Sequence, residues 1–433
     1  CLTPFSARVD VQGKGRQRTL GAVGADGRSH SYPWLEVGQS HHDAIEERTL
    51  TRISPTLLWL DAGKPLPEGA PSPWRETYEL VDTCAAKAAT HGAQHFRLVA
   101  IQALHGAAIG LRYDHQVNGE QVLSDILSKQ GEQTLAHVGV KPHPHTGLIE
   151  SLWEIKDGEL VRQLAAYEHD AQGDLVLARD ENGAAWRYQY QHHLVTRYTD
   201  RTGRGMNLEY DGTGASAKAV HEWADDGSYD TRLEWDENIR LAYVTDALGQ
   251  ETWVYYDILG YPYRLIHADK REEWFYRDDA KNLTCHVHPD GSTEHFRYDE
   301  QGHLVQHTRA DGSVLHFEYD PAHRLTGILD PDGGTWKRGY DPQGRLSEET
   351  DPLGNVTQFA YDRLGRLTKV TDAKGGTKKL AYTEAGQLAR YTDCSGRTSQ
   401  WAYDARGRLA LATDAAGNET KYRYTPLTQE TLQ

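Results

Sequence analysis

The chain is 433 residues long, with 41 glycines, 24 tyrosines and only 6 phenylalanines, and its mean hydropathy is -0.71. So few large apolar side chains argue against the several aliphatic cores that a compact protein of this length builds. A net charge of -16 without a basic block excludes a phosphate-binding face for nucleic acid or for an anionic membrane surface.

Two builds fit this polarity: an extended or hollow wall one sheet thick, or a disordered chain. Regularly spaced aromatic and β-branched residues favour the wall. Residues 1–95 carry mixed signals. Ser31-Tyr-Pro-Trp34 and Leu50-Thr-Arg-Ile53 suggest short strands, 64–73 (Lys-Pro-Leu-Pro-Glu-Gly-Ala-Pro-Ser-Pro) reads as a loop, and 84–90 suggests a short helix stopped near Gly92. This part is expected to be an irregular amino-terminal cap. From Phe96 onward degenerate repeat units begin, such as Tyr113-Asp114 with Gly119, and they become legible from Tyr167 through Gly173, Asp180 and Gly183 to Tyr188. Units starting at Tyr188, Tyr210, Trp235, Tyr256 and Tyr276 vary in length, with an insertion over 212–219.

A strict period of 21 then sets in, with Tyr298, Tyr319, Tyr340, Tyr361, Tyr382, Tyr403 and Tyr424. Self-similarity at such a period marks units that cannot bury a face alone and must stack on neighbours. Each unit holds two glycine-centred turns about ten residues apart, and short strands at 8–12-residue spacing read as all-β, so one unit is a β-hairpin. Asp299, Asp320, Asp341, Asp362 and Asp404 follow the tyrosines, where an aspartate hydrogen-bonds its own backbone two residues on. Gly302, Gly344, Gly365, Gly386 and Gly407 supply the positive φ of that turn, and Asp372 with Gly375 repeats the device in the second turn. Leu346, Leu367, Leu388 and Leu409, two residues after the first glycine, are expected to form cross-strand ladders with the tyrosines between successive hairpins. Both strand faces carry polar residues, whereas a sandwich needs one strongly apolar face per strand.

The repeated phrases Tyr361-Asp-Arg-Leu-Gly-Arg-Leu-Thr-Lys-Val-Thr-Asp372 and Tyr403-Asp-Ala-Arg-Gly-Arg-Leu-Ala-Leu-Ala-Thr-Asp414 resemble the Rhs/YD-repeat family, and the likeness covers residues 96–433. Upstream units such as Tyr167-Glu-His-Asp-Ala-Gln-Gly-Asp-Leu-Val176 and Thr199-Asp-Arg-Thr-Gly-Arg-Gly205 look like the Rhs cores of bacterial polymorphic toxins, type VI secretion effectors above all. The resemblance implies an all-β fold in which hairpins spiral into a large hollow shell, with degenerate units over 96–297 and regular ones over 298–433. It implies a container for a carboxyl-terminal toxin domain and no enzyme in this segment. Implied partners are the rest of the shell, the enclosed toxin, a secretion spike or PAAR-type delivery protein, a chaperone and an immunity protein. Implied localisation is the producer's cytoplasm, then export by a type VI-like route. An extracellular adhesion module, binding glycan or protein through exposed tyrosines, is the alternative.

Shells of that family commonly end in a self-cleaving segment with paired Asp-Pro-x-Gly turns. Asp330-Pro-Asp-Gly333 and Asp351-Pro-Leu-Gly354 match in form, but they stand one repeat apart and lack a Gly-Gly-x-Asn stretch between them. They are expected to be ordinary second turns, with cleavage segment and toxin beyond Gln433. Cys1, Cys84, Cys285 and Cys394 lie far apart without a C-x-x-C, which reads as reduced cytosolic thiols. The chain begins at Cys1, its one methionine is Met206, and neither a signal peptide nor a spanning segment is recognisable, so it reads as a piece of a longer polypeptide. His286 and His288, flanked by Cys285, and His143 with His145 are the best metal candidates. Zinc needs three or four converging ligands and no third is legible at useful spacing, so neither a metal nor any other cofactor is expected. No nucleophile elbow, His-Glu-x-x-His helix, phosphate loop or complete dinucleotide fingerprint occurs; Gly203-Arg-Gly205 does not continue to a third glycine. Sequons at Asn282, Asn355 and Asn418 follow from turn composition.

Overall fold

The computed structural model describes residues 5–13, 17–25, 27–67, 72–81, 95–103, 106–214, 216–424 and 429–432. The helix expected over 84–90, Cys1 and Cys84 lie outside them. Among the described residues the chain is all-β, with strands from Arg8–Gln12 to Gln429–Leu432 and no α-helix. It divides into two compact units: Cys1–Ala165 with Tyr319–Thr326 and Thr335–Gln433, and Ala166–Glu318 with Gly327–Gly334.

In the first unit, alternation of apolar and polar residues sets the amino-terminal strands. Arg8–Gln12 pairs antiparallel with Thr19–Val23 and with His95–Ala103. From Arg48–Ser54 the pairing runs without a break through Leu57–Ala62, Trp74–Leu80, His95–Ala103, Ala107–Arg112, Asp125–Gln130, Gln133–Pro142 and Ile149–Lys156. Val9, Leu20, Tyr32, Leu50, Leu58, Tyr78, Phe96 and Leu98 are fully buried together in one cluster that extends to Leu111. This region is irregular in strand spacing, yet it holds a dry core. The expected boundary at 95 falls at the start of a strand whose Phe96, Leu98 and Ile101 belong to that same cluster. Glu76 is buried here, and Tyr78 donates to it at 2.5 Å while Arg48 lies 3.4 Å away, so its charge is compensated. Burial, followed by the Glu76 charge, drives the Tyr78 hydroxyl pKa far above its ordinary value.

The same unit also contains regular repeats. Each is a six-residue strand ending on the tyrosine, a tight turn, a five-residue strand starting on the leucine, and a second turn. Val356–Tyr361 and Leu367–Thr371 form one such hairpin, and Thr377–Tyr382 begins the next. A bulge recurs immediately before the tyrosine, between Gly339 and Tyr340, Ala360 and Tyr361, Ala381 and Tyr382, and Ala402 and Tyr403. Such bulges add local twist and bend the ribbon.

The second unit is built the same way with less regular lengths. Antiparallel neighbours run in chain order from Leu175–Asp180 and Ala185–Gln191 to Leu304–Thr308 and Val314–Tyr319. The insertion over 212–219 separates Gly205–Tyr210 from Ala219–Ala224, which still pair, with a register shift at Tyr210.

Candidate functional site

The repeat columns act together as a hydrogen-bonded seam. In the first turn the Asp362 carboxylate accepts the backbone N–H groups of Leu364 and Arg366 at 2.9 and 3.0 Å, and Asp341 and Asp404 do the same for their own turns. Asp299 accepts from His303, and Asp320 from Ala322 and Arg324. Gly302, Gly344, Gly365, Gly386 and Gly407 adopt φ between 75° and 86°, the left-handed conformation that L side chains resist. Asp372 and Gly375 serve the second turn alike. Tyr361 stands opposite Leu367 within its own hairpin.

Between hairpins, the seam is a bond to the leucine's backbone. The hydroxyls of Tyr298, Tyr340, Tyr361, Tyr382, Tyr403 and Tyr424 each donate to the carbonyl fifteen residues earlier, at 2.6–3.0 Å; four of those carbonyls belong to Leu346, Leu367, Leu388 and Leu409. Tyr319 ends its strand at the equivalent place. The arginine after the first glycine completes the seam, a role that the sequence reading did not assign. Arg345, Arg366 and Arg408 grip their turn aspartate and lay the guanidinium 4.5–4.9 Å from the ring centroid of the next repeat's tyrosine. Where Thr383 replaces the aspartate, Gln387 replaces the arginine and donates instead to the Gly407 carbonyl. The constant position of these arginines in the motif was the available signal.

Asp330 and Asp351 are second-turn residues. Asp330 accepts from the N–H groups of Asp332 and Gly334, and Asp351 from those of Leu353 and Asn355 and from the Asn355 amide at 2.8 Å. Each carboxylate is occupied by its own loop. His143 spends Nδ1 on the backbone N–H groups of His145 and Thr146 in a turn. His286 and His288 are different. Their rings lie 4.0 Å apart, and Glu273, on the neighbouring strand, joins them, with one ligand atom from each of the three within 4.8 Å of the others. Glu273 is the third ligand-type side chain that sequence spacing did not reveal, because only the pairing of Glu272–Arg277 with Leu283–Val287 brings it near. Cys285 is not among the three, as alternation puts it on the other strand face, and burial raises its thiol pKa.

Residues 277–314, 298–335, 340–377 and 382–420 match the family model described as RHS Repeat. No curated protein sequence matches the chain. Among solved structures, the crystal structure of TcdB2-TccC3-Cdc42 is similar at 11% identity and a TM-score of 0.40, over 99% of this chain and 25% of that one. That of TcdB2-TccC3 has 10% identity and a TM-score of 0.40, over 94% and 25%. The Photorhabdus luminescens Tc holotoxin pore has 10% identity and a TM-score of 0.31, over 98% and 31%. The chain spans a quarter to a third of the length of these structures. Within residues 277–420, the tyrosine-aspartate hairpins, joined turn by turn, are RHS repeats by sequence and carry the chain's likeness to Rhs/YD-repeat proteins.

Proposed function

We propose that this chain is part of a container wall that encloses a toxin domain, keeps it from the producing cell and carries it into a target cell. The observation that supports this reading is how the regular units cohere. Tyrosine hydroxyls, turn aspartates and arginines tie each hairpin to the next, while among the described residues no aliphatic or aromatic side chain of these units is fully buried. Repeats that fill no dry interior of their own are suited to bounding a lumen. A weakly apolar wall confines a passenger without holding it in a stable complex. The segment has no catalytic role in this reading; chemistry belongs to the toxin. The dry cluster of Val9, Leu20, Leu50 and Leu58 is the candidate plug, since an open strand edge recruits other strands unless it is covered.

Delivery by a type VI-like machine, with a spike or PAAR-type partner, a chaperone and an immunity protein, and residence in the producer's cytoplasm before export, are part of the same proposal. The test is limited proteolysis and electron cryo-microscopy of the whole polypeptide together with its toxin. The toxin should resist protease until urea opens the wall, and density for it should lie inside a lumen. Cleavage of the toxin at the rate of the isolated domain, or repeats pressed face to face as a solid sandwich, refutes the proposal.

A further inference from the structure

Two successive repeats depart from the motif together. At the place where later units carry the second-turn aspartates Asp330, Asp351 and Asp372, the chain has His267 and His288. Where later units carry Ile328 and Val370, it has His286 and His307; where Thr357 and Ser399 stand, it has Glu273 and Glu294. Strand pairing converts these exchanges into one polar row within the second unit. Glu273 accepts from His286 at 2.6 Å through one oxygen and faces His267 at 3.1 Å with the other. Glu294 stands 3.7 Å from His288 Nε2 and 3.2 Å from His307 Nε2. Phe275 stacks on His286 at 4.6 Å and Phe296 on His307 at 4.6 Å, fixing both imidazole planes.

We propose that Glu273, His286 and His288 form a binding site for a divalent zinc-like cation that cross-links adjacent strands of the wall. Tetrahedral zinc with bonds of about 2.0–2.1 Å needs donor atoms about 3.3–3.4 Å apart. The three donors already lie within 4.8 Å, so small side-chain rotations close the site. Two imidazoles with a carboxylate suit zinc and its late first-row neighbours, whereas calcium and magnesium take all-oxygen sites. His267, holding the second oxygen of Glu273, is the positioning residue, the outer partner that fixes a ligating carboxylate. Glu294, 3.7 Å from His288 Nε2 and 3.2 Å from His307, borders the site outside the three converging donors. The side chains of Glu273 and His286 are each 17% exposed and that of His288 30%, so solvent reaches the site for the ion to enter and the proton to leave. The proposal stands independently of what the wall encloses.

The experiment uses the full chain without a polyhistidine tag, stripped of metal and titrated with Zn2+ by calorimetry, with native mass spectrometry for stoichiometry. The expected result is one tightly bound ion per chain, with a Kd of about 1 µM or lower, and a melting temperature raised by zinc. His286→Val and His288→Asp install residues that other repeats carry at the same places. His288→Asp recreates the Asp-Pro-Asp-Gly turn seen at 330–333, so this variant should melt as the wild type does in chelator, whereas His286→Val also removes the bond to Glu273 and is compared with and without zinc. Each should weaken zinc binding at least about tenfold and abolish the zinc-dependent rise in melting temperature, as should Glu273→Gln. The pair His143→Asn and His145→Asn should leave binding intact. No ion bound more tightly than about 100 µM, binding that survives both His286→Val and His288→Asp, or binding lost with His143 and His145 would overturn the proposal.

Discussion

Replacing Tyr361 by phenylalanine isolates the bond that joins one hairpin to the next. The ladder between Leu346–Thr350 and Val356–Tyr361 pairs Glu348 to Thr350 with Gln358 to Val356. Beyond it, the Tyr361 hydroxyl reaches back to the Leu346 carbonyl at 2.9 Å, beside the bond from the Arg345 guanidinium to the Asp362 carbonyl at 3.3 Å. Phenylalanine keeps the ring and its contact with the Arg345 guanidinium, 4.8 Å from the centroid, and removes only the donor. A net hydrogen bond contributes about 0.5–1.5 kcal/mol, and because water reaches a half-buried carbonyl, the cost should be about 1 kcal/mol. Tyr361→Ala also removes the ring. Truncating a fully buried aromatic costs about 3–5 kcal/mol; with the ring half-buried, the total should be about 3 kcal/mol. Urea unfolding measures both as shifts of the midpoint at unchanged slope. Hydrogen exchange should show faster opening confined to the strands around 346–361. A Tyr361→Phe change below about 0.3 kcal/mol, or Tyr361→Ala no worse than Tyr361→Phe, would refute the seam.

The Asp362–Arg366 pair can be read by a double-mutant cycle. Both side chains are about a quarter exposed, so Asp362→Ala and Arg366→Ala should couple by about 0.5–1 kcal/mol, and full additivity would assign the arginine's role to packing alone. Lys281 occupies a turn-glycine position at φ 70°; Lys281→Gly should stabilise the chain by about 0.5–1 kcal/mol in urea, and a loss would show that its side chain holds the turn in another way. Leu58, fully buried in the amino-terminal cluster, should cost about 2–5 kcal/mol on truncation to alanine, and a neutral result would mean that the cluster is not packed. For Asp341, Asp362 and Asp404, burial opposes the charge, yet backbone N–H groups and the following arginines outweigh it and hold each carboxyl pKa below the ordinary value. A depressed folded pKa stabilises fully above the unfolded value of about 3.9 and loses that contribution as pH falls through the folded one. The urea midpoint should therefore hold from neutral pH to about 5 and drop steeply below about 4; a midpoint that stays flat or rises on acidification contradicts the assignment.

The repeat's own chemistry was legible in the sequence because it is local. Asp362 and Gly365 act on backbone two to four residues away, so the hairpins, their period and the all-β class followed from the spacing of tyrosine, aspartate and glycine. Asp330 and Asp351 could be read as turn residues for the same reason. What joins distant residues depends on register, which a one-residue slip would reverse. Only the paired strands put the Tyr361 hydroxyl on Leu346, Arg366 over the ring of Tyr382, and Glu273 beside His286 and His288. Likewise, residues spread from Ala7 to Leu111 became one dry cluster only when antiparallel neighbours turned their alternate side chains to the same side. Turns are written in consecutive residues, whereas a site built across strands exists only once the hydrogen-bond ladder has fixed which residues face each other.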